Sequence, residues 1–293
     1  MSKLILGTAQ FGSGYGITNT VGRIDDMAMS MVMSTAVSSG IDTFDTAADY
    51  GDSQARLGLQ PGSSDRHYVT KFSLGDDAGV QPSDEDLFAR SAEALGVEVL
   101  DGVLFHRISD LIDARFPAAL AALRDARTDG RISRIGVSVY DGEDLDLALS
   151  RFPDLDLLQI PGSIVDRRLV DDPKVARLKT GGTEIHVRSA FLQGLLLSSP
   201  ESLPEFFSPL RQSLDGLARV AAEQETTVLG LAIRFLRDHE MVDGVIVGAT
   251  NERELSAISA QWHDRAVHSL DLDFTVPSAL LDPRGWPSVK VAP

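Results

Sequence analysis

Eight short apolar runs alternating with longer stretches of helical period make this 293-residue chain a single (β/α)8 barrel, the α/β fold also called the TIM barrel. Three observations carry that reading. The alternation is strict, the length suits a fold that takes about 250 residues, and nearly every strand ends in a polar residue where a buried strand would simply stop. One domain over residues 1–293 follows, with a Pro-rich, non-helical tail from about 271.

The first strand is LILGTAQ from Leu4, leucine-rich and running into the glycine-bearing GTAQFGSGYG. DDMAMSMVMSTAVSSG comes next, with the acidic start and Gly stop of a helix. Its methionines recur at near-helical spacing, which marks an adaptable core face. IDTFDTA from Ile41 and HYVTKFS from His67 are the second and third strands. PSDEDLFARSAEALG is helical, VLDGVLFH from Val99 is the fourth strand, FPAALAALRDARTDG is helical, and ISRIGVSV from Ile132 is the fifth. EDLDLALSRF leads to LDLLQIPG from Leu155 and TEIHVRSA from Thr183, and LDGLARVAAEQE leads to the last strand, DGVIVGA from Asp243.

Composition excludes several classes of function. With 27 basic against 43 acidic residues the net charge is -16, which argues against nucleic acid or an anionic membrane as partner. An anionic ligand would need a local basic pocket. There is no cysteine, so disulfides, thiolate chemistry and Cys-ligated metals are out. The apolar run in MSKLILGTAQ is too short for a secretory signal, and no stretch of eighteen apolar residues occurs, so the expectation is a soluble, cytoplasmic protein. His67, His186, His239, His263 and His268 have no second ligand at metal spacing, and no metal is expected. GSGYG lacks the GxGxxG spacing of a dinucleotide fingerprint. It reads as a mobile first loop, with Gln10, Phe11 and Tyr15 lining a pocket.

Asp45, Lys71, His106, Ser138, Gln159 and Arg188 each end a strand, and Tyr50 lies in the loop after one. In this fold those positions converge on the C-terminal face, where active sites are built. Each alone has a plainer reading: Asp45 as a helix cap, Lys71 as a solvated strand end, His106 as a core histidine. Together they suggest acid chemistry. A tyrosine hydroxyl, with an ordinary pKa of about 10, holds its proton at neutral pH and can donate to a developing alkoxide. Lys71 is expected to pull that pKa down, Asp45 to anchor Lys71, and His106 to orient a substrate carbonyl.

GTAQFGSGYG, FDTAADYGDSQARLG, VTKF, VLFH, IGVSVY, LLQIPGSIVDRR, VRSAFLQGLL and VIVGATNERELSAI together resemble the aldo-keto reductase family over essentially the whole chain. The resemblance implies hydride transfer from a nicotinamide dinucleotide to an aldehyde or ketone, without metal. The family's catalytic tetrad falls on Asp45, Tyr50, Lys71 and His106, with Tyr50 as general acid. Cofactor contacts fall on Gly7, Thr8, Ala9 and Asp45, on Ser138 and Gln159 for the nicotinamide carboxamide, and on Arg188, Ser189, Phe191, Gln193 and Gly194 along the ring and pyrophosphate. The adenosine end falls on Gly248, Ala249, Thr250, Asn251 and Arg253, where a helix N-terminus favours phosphate. Val139 stands where the family has Asn, Arg188 where many members stack an aromatic ring, Glu254 where a 2'-phosphate partner is common, and Ile258 where an Asn follows. NADPH is expected, with reduced selectivity over NADH.

The substrate is expected to be a small carbonyl compound. GTAQFGxxYGI resembles a branch found with bacterial sugar and glycan enzymes, which favours a sugar-derived or otherwise polar substrate, and Arg107 or Arg188 would receive a carboxylate or phosphate. The loops after the third and seventh strands read as short, giving an open pocket. Two other classes stay open: a Schiff-base lyase with Lys71 as nucleophile, and a cofactor-binding regulatory subunit that keeps the site as a sensor. Trp286 either closes the barrel face or packs beneath it.

Overall fold

The computed structural model describes residues 2–75, 86–264 and 274–287. Eight parallel strands close into one barrel in sequence order: β1 (Lys3–Gly7), β2 (Thr43–Asp45), β3 (His67–Phe72), β4 (Gly102–Phe105), β5 (Ile135–Ser138), β6 (Leu157–Pro161), β7 (Glu184–Arg188) and β8 (Gly244–Val247). β1 pairs with both β2 and β8, so the sheet has no open edge. All eight expected strands form. Most are shorter than their apolar runs: Ile41, for example, donates its N–H to Ala36 O and belongs to the preceding helix end, not to β2.

Ten helices lie among the described residues: α1 (Ala9–Gly12), α2 (Asp26–Ser38), α3 (Ser53–Gly58), α4 (Asp86–Leu95), α5 (Phe116–Thr128), α6 (Gly142–Arg151), α7 (Pro173–Thr180), α8 (Arg211–Glu223), α9 (Val228–Arg237) and α10 (Glu252–His263). The expected helices appear as α2, α4, α5, α6 and α8; the first residues proposed for α4 fall outside the described chain. α2 and α6 start as their acids suggest, Asp25 accepting from Ala28 N and Asp141 from Asp144 N. α7 and α9 carry weak periodicity for opposite reasons. α7 buries only Val175, whereas α9 is buried from Gly230 through Leu236, and a continuous apolar run does not distinguish helix from strand.

Side chains alternate across the wall. Tyr68 and Phe105 face the helices, while Val69, Leu104 and Leu157 form a separate apolar cluster inside the barrel. The interior is tight enough that a Cβ on Gly136 would lie 1.8 Å from Leu157 O, so only glycine fits there. Several expectations are corrected at this level. The chain after β7 is not short: residues 189–210 run through three 3-10 turns, Leu192–Leu197, Pro200–Ser202 and Glu205–Leu210, before α8 begins. The loop after β3 lies largely outside the described residues. Phe11 lines no pocket; it is fully buried, and its carbonyl accepts from Arg56 Nη1. Among the described tail residues 274–287 there are two 3-10 turns and no α-helix. No helix among the described residues is long and apolar enough to cross a membrane.

Candidate active site

β2 ends at Asp45, whose backbone oxygen closes the parallel pairing with β1. Thr8 N and Thr8 Oγ1 both donate to Asp45 O, at 2.9 and 3.0 Å, and Ser53 Oγ donates to Thr8 O at 2.9 Å. Thr8 is therefore fully buried in a structural role at the strand end, beside Gly7 and the buried Ala9. The chain then turns toward the barrel mouth, with Thr46 N donating to Val69 O and Ala48 N to Lys71 O. Tyr50 is held by a close approach of two loops. A Cβ on Gly12 would lie 1.7 Å from Tyr50 O, and one on Gly51, which has φ +57°, would lie 2.3 Å from Gly12 O. Two glycines thus fix the tyrosine's height above the strands.

The acid and the lysine meet as the strand ends predict. Lys71 is 1% exposed, and its Nζ donates to Asp45 Oδ1 at 2.7 Å and to Thr46 O at 2.8 Å. Asp45 Oδ2 accepts from Gln159 Nε2 at 2.8 Å, so both carboxylate oxygens are bound inside the barrel. Ser138 Oγ stands 3.5 Å from Gln159 Oε1, leaving that oxygen nearly free as an acceptor. Lys71 Nζ is 5.1 Å from the centroid of the Tyr50 ring, and the Tyr50 and His106 rings meet edge-on at 5.8 Å. All four tetrad residues come together.

The electrostatics of Tyr50 correct one expectation. Burial, followed by the Asp45 carboxylate, pushes the Tyr50 hydroxyl well above the ordinary tyrosine value, and Arg188 opposes the rise. Lys71 does not reverse it because its charge is balanced by Asp45 at 2.7 Å, so little net field reaches the phenol. Tyr50 therefore holds its proton firmly at neutral pH.

Other neighbours were not apparent in the sequence. His106 Nδ1 lies 3.1 Å from Asp49 Oδ2. Burial works against the charge of Asp49, but His106 and Lys71 overcome it and hold the carboxyl below the usual carboxylate range. Asp49 sits one residue before Tyr50, and only the turn decides that both side chains meet the His106 ring. Arg188 lies flat on Tyr140 with its Cζ 4.0 Å from the ring centroid, donating to Val139 O at 3.0 Å and weakly to Ser189 Oγ at 3.4 Å. The tail residue Arg284 also contacts the Tyr140 ring, at 4.5 Å, and pairs with Asp141, Asp144 and Asp282. Arg188, by contrast, has no carboxylate partner among the described residues. Trp286 packs edge-on against Phe207 at 5.1 Å, which anchors the same tail. Tyr140 lacked a signal because its meaning depends on two arginines brought from 48 and 144 residues away.

The expected cofactor residues distribute unevenly. Ser189, Gln193 and Gly194 all adopt positive φ, Gly194 N donates to Phe191 O at 2.9 Å within the loop, and Phe191 is buried. Gln193 also ties this loop to the first one: its Oε1 accepts from Ile17 N at 3.0 Å and its backbone oxygen from Thr18 Oγ1 at 2.8 Å. Gly248 lies against the Gln10 carboxamide, and Ala249 is buried. At the start of α10, Asn251 caps Glu254 N, and the Glu254 carboxylate folds back to accept from Thr250 N at 2.7 Å and from Thr250 Oγ1. Arg253 is exposed beside it, and Ile258 is buried in the core. A nicotinamide dinucleotide fits this set: a carboxamide acceptor at Gln159, a loop of positive-φ residues after β7, and a helix N-terminus after β8.

Comparisons with known proteins agree with this arrangement. No curated protein matches the chain. Among solved structures, aldo-keto reductase AKR11C1 from Bacillus halodurans in its holo form superposes with a TM-score of 0.68 at 20% identity, over 91% of this chain and 88% of that one. Glycerol dehydrogenase AKR11B4 from Gluconobacter oxydans gives a TM-score of 0.66 at 20% identity, over 90% and 87%. At that identity the likeness speaks to the fold. The sequence profile of the aldo/keto reductase family matches residues 3–267, nearly the whole barrel, and the chain therefore belongs to that family.

Proposed function

We propose that the protein reduces an aldehyde or ketone to an alcohol, with Tyr50 donating the proton to the carbonyl oxygen. A bound NADPH would supply the hydride to the carbonyl carbon. The observation that carries the reading is the buried chain from Gln159 through Asp45 to Lys71, which ends beneath Tyr50 and beside His106. Asp45 and Thr46 O hold Lys71 in place. Tyr50 keeps its proton until a stronger base, the forming alkoxide, is present. The tyrosinate left behind is stabilised by Arg188, whose charge already acts to lower the Tyr50 pKa.

NADPH is the proposed cofactor, with reduced selectivity over NADH. Exposed Arg253 favours a 2'-phosphate, whereas the Glu254 carboxylate beside Thr250 opposes one and can accept from a free ribose hydroxyl. The substrate we propose is a small polar carbonyl compound bearing an anionic group, sugar-derived or not. Arg188 supports this, being a half-buried guanidinium held flat on Tyr140 without a carboxylate partner among the described residues.

Tyr50→Phe tests the reading. The expected result is loss of turnover by about 10²–10⁴-fold with nucleotide affinity unchanged. Turnover at the wild-type level would overturn it. A lyase reading loses support from the double hold on Lys71 by Asp45 and Thr46, since a nucleophilic amine must be free of its proton; trapping of a carbonyl compound on Lys71 by borohydride would restore it.

A further inference from the structure

We propose that Arg284, carried by the C-terminal segment, is a positioning residue that sets specificity for an anionic substrate: it holds the Tyr140 ring on which Arg188 lies and neutralises the carboxylates beside that ring. The proposal rests on Arg188 as the partner of the substrate's anionic group.

Tyr140 is fixed through its backbone and through its ring. Its N–H donates to Asp144 Oδ2 at 2.9 Å, and Arg284 Nη1 donates to the same oxygen at 3.1 Å. The Arg284 guanidinium meets the Tyr140 ring at 4.5 Å, and the Arg188 guanidinium meets it at 4.0 Å. A guanidinium plane stacked on an aromatic ring is confined in orientation as well as in place. Apart from that ring, Arg188 has the carbonyl of Val139 and the hydroxyl of Ser189 as partners among the described residues, and neither is charged.

Charge decides which of the two arginines serves the substrate. Arg284 pairs with Asp141, with Asp144 and with both oxygens of Asp282, so its charge is taken up locally. Arg188 has no carboxylate partner among the described residues, and its charge opposes the rise that burial imposes on the Tyr50 pKa, so it acts on the proton-donating end of the mouth. Without Arg284, the carboxylates of Asp141 and Asp144 would be left to draw Arg188 off the ring. The tail is also docked on either side of Arg284. Leu280 and Leu281 are buried, Arg168 donates to Leu281 O at 3.3 Å, and Trp286 packs on Phe207. Truncating Arg284 therefore releases Tyr140 and leaves these other contacts in place.

The test is calorimetric titration of the full chain, with NADP⁺ present, by 4-carboxybenzaldehyde and by its neutral counterpart 4-carbamoylbenzaldehyde; kcat/KM for reduction of both by NADPH is measured alongside. The wild type should favour the anionic aldehyde. Arg284→Met should lower the ratio of anionic to neutral affinity by about three- to tenfold, with KM for the anionic aldehyde rising more than kcat falls. In an Arg188→Leu background the same substitution should lower the ratio no further, because Arg284 acts through Arg188. Tyr140→Leu should repeat the fall, and Tyr140→Phe, which keeps the ring, should restore the ratio. A fall that adds to that of Arg188→Leu overturns the proposal, as does an equally large fall in Trp286→Leu, which loosens the tail away from Tyr140. Equal affinity of the wild type for the two aldehydes, or none for either, removes Arg188 as the anion's partner and the proposal with it. Absence of turnover with the affinity ratio intact would sink the reductase reading alone, and the affinities would still decide the role of Arg284.

Discussion

Asp45→Asn removes one charge from a buried pair and leaves the other in place. The two side chains are 5% and 1% exposed, and the Nζ–Oδ1 distance is 2.7 Å. At an effective dielectric constant of about 20, two unit charges at that separation attract by roughly 6 kcal/mol before desolvation is counted. Breaking such a pair by removing one partner costs about 3–5 kcal/mol, because the remaining ion is buried without its counter-charge. Thr46 O still accepts from Lys71, which favours the lower end of that range. For a chain of 293 residues the loss corresponds to about 5–8 °C in Tm. Guanidinium titration of the wild type, Asp45→Asn and the double variant Asp45→Asn/Lys71→Met gives the answer without any substrate. The double variant should recover most of the lost stability, since it no longer buries a lone ammonium, while turnover stays abolished. A single variant that loses less than about 1 kcal/mol, the value of an exposed pair, would refute the reasoning, as would a double variant no more stable than the single one.

Arg188→Leu should lower kcat/KM for anionic carbonyl substrates by about tenfold or more relative to neutral analogues of the same size, in line with a charged hydrogen bond of about 1.5–3 kcal/mol; equal losses on both would count against an anionic substrate. Glu254→Gln removes the carboxylate at Thr250 and should move the NADPH-to-NADH affinity ratio several-fold toward NADPH, read by nucleotide fluorescence titration, with an unchanged ratio excluding Glu254 from the adenosine site. Glu184 closes the opposite end of the barrel: burial works against its charge, but His186, Lys3 and Arg134 outweigh that cost, and its pKa is held below the usual glutamate value. A depressed carboxylate stabilises fully above its unfolded pKa, about 4.3, and that contribution fades as pH falls toward the folded value. The stability advantage of wild type over Glu184→Gln should therefore be constant above about pH 5 and shrink below it, and an advantage that grows with acidity would contradict the assignment.

The sequence by itself determined the barrel and the four residues of the candidate tetrad. Strand alternation is a local signal, and a parallel barrel sends every strand's C-terminal residue to one face, so Asp45, Lys71 and His106 could be gathered from their positions alone. The glycines at 12 and 51 were visible as letters, but not as the contact that sets the height of Tyr50. Only the tertiary structure decided what those residues feel. The direction of the Tyr50 shift depends on burial and on Lys71 being neutralised by Asp45, which are sums over distances that no spacing encodes. The same holds for Asp49 against His106, for Arg188 and Arg284 on Tyr140, and for Glu254 folded over the start of α10. Periodicity reports which way a side chain points along its own element; charge, stacking and proton position arise between elements far apart in the chain, and they exist only once the barrel has closed.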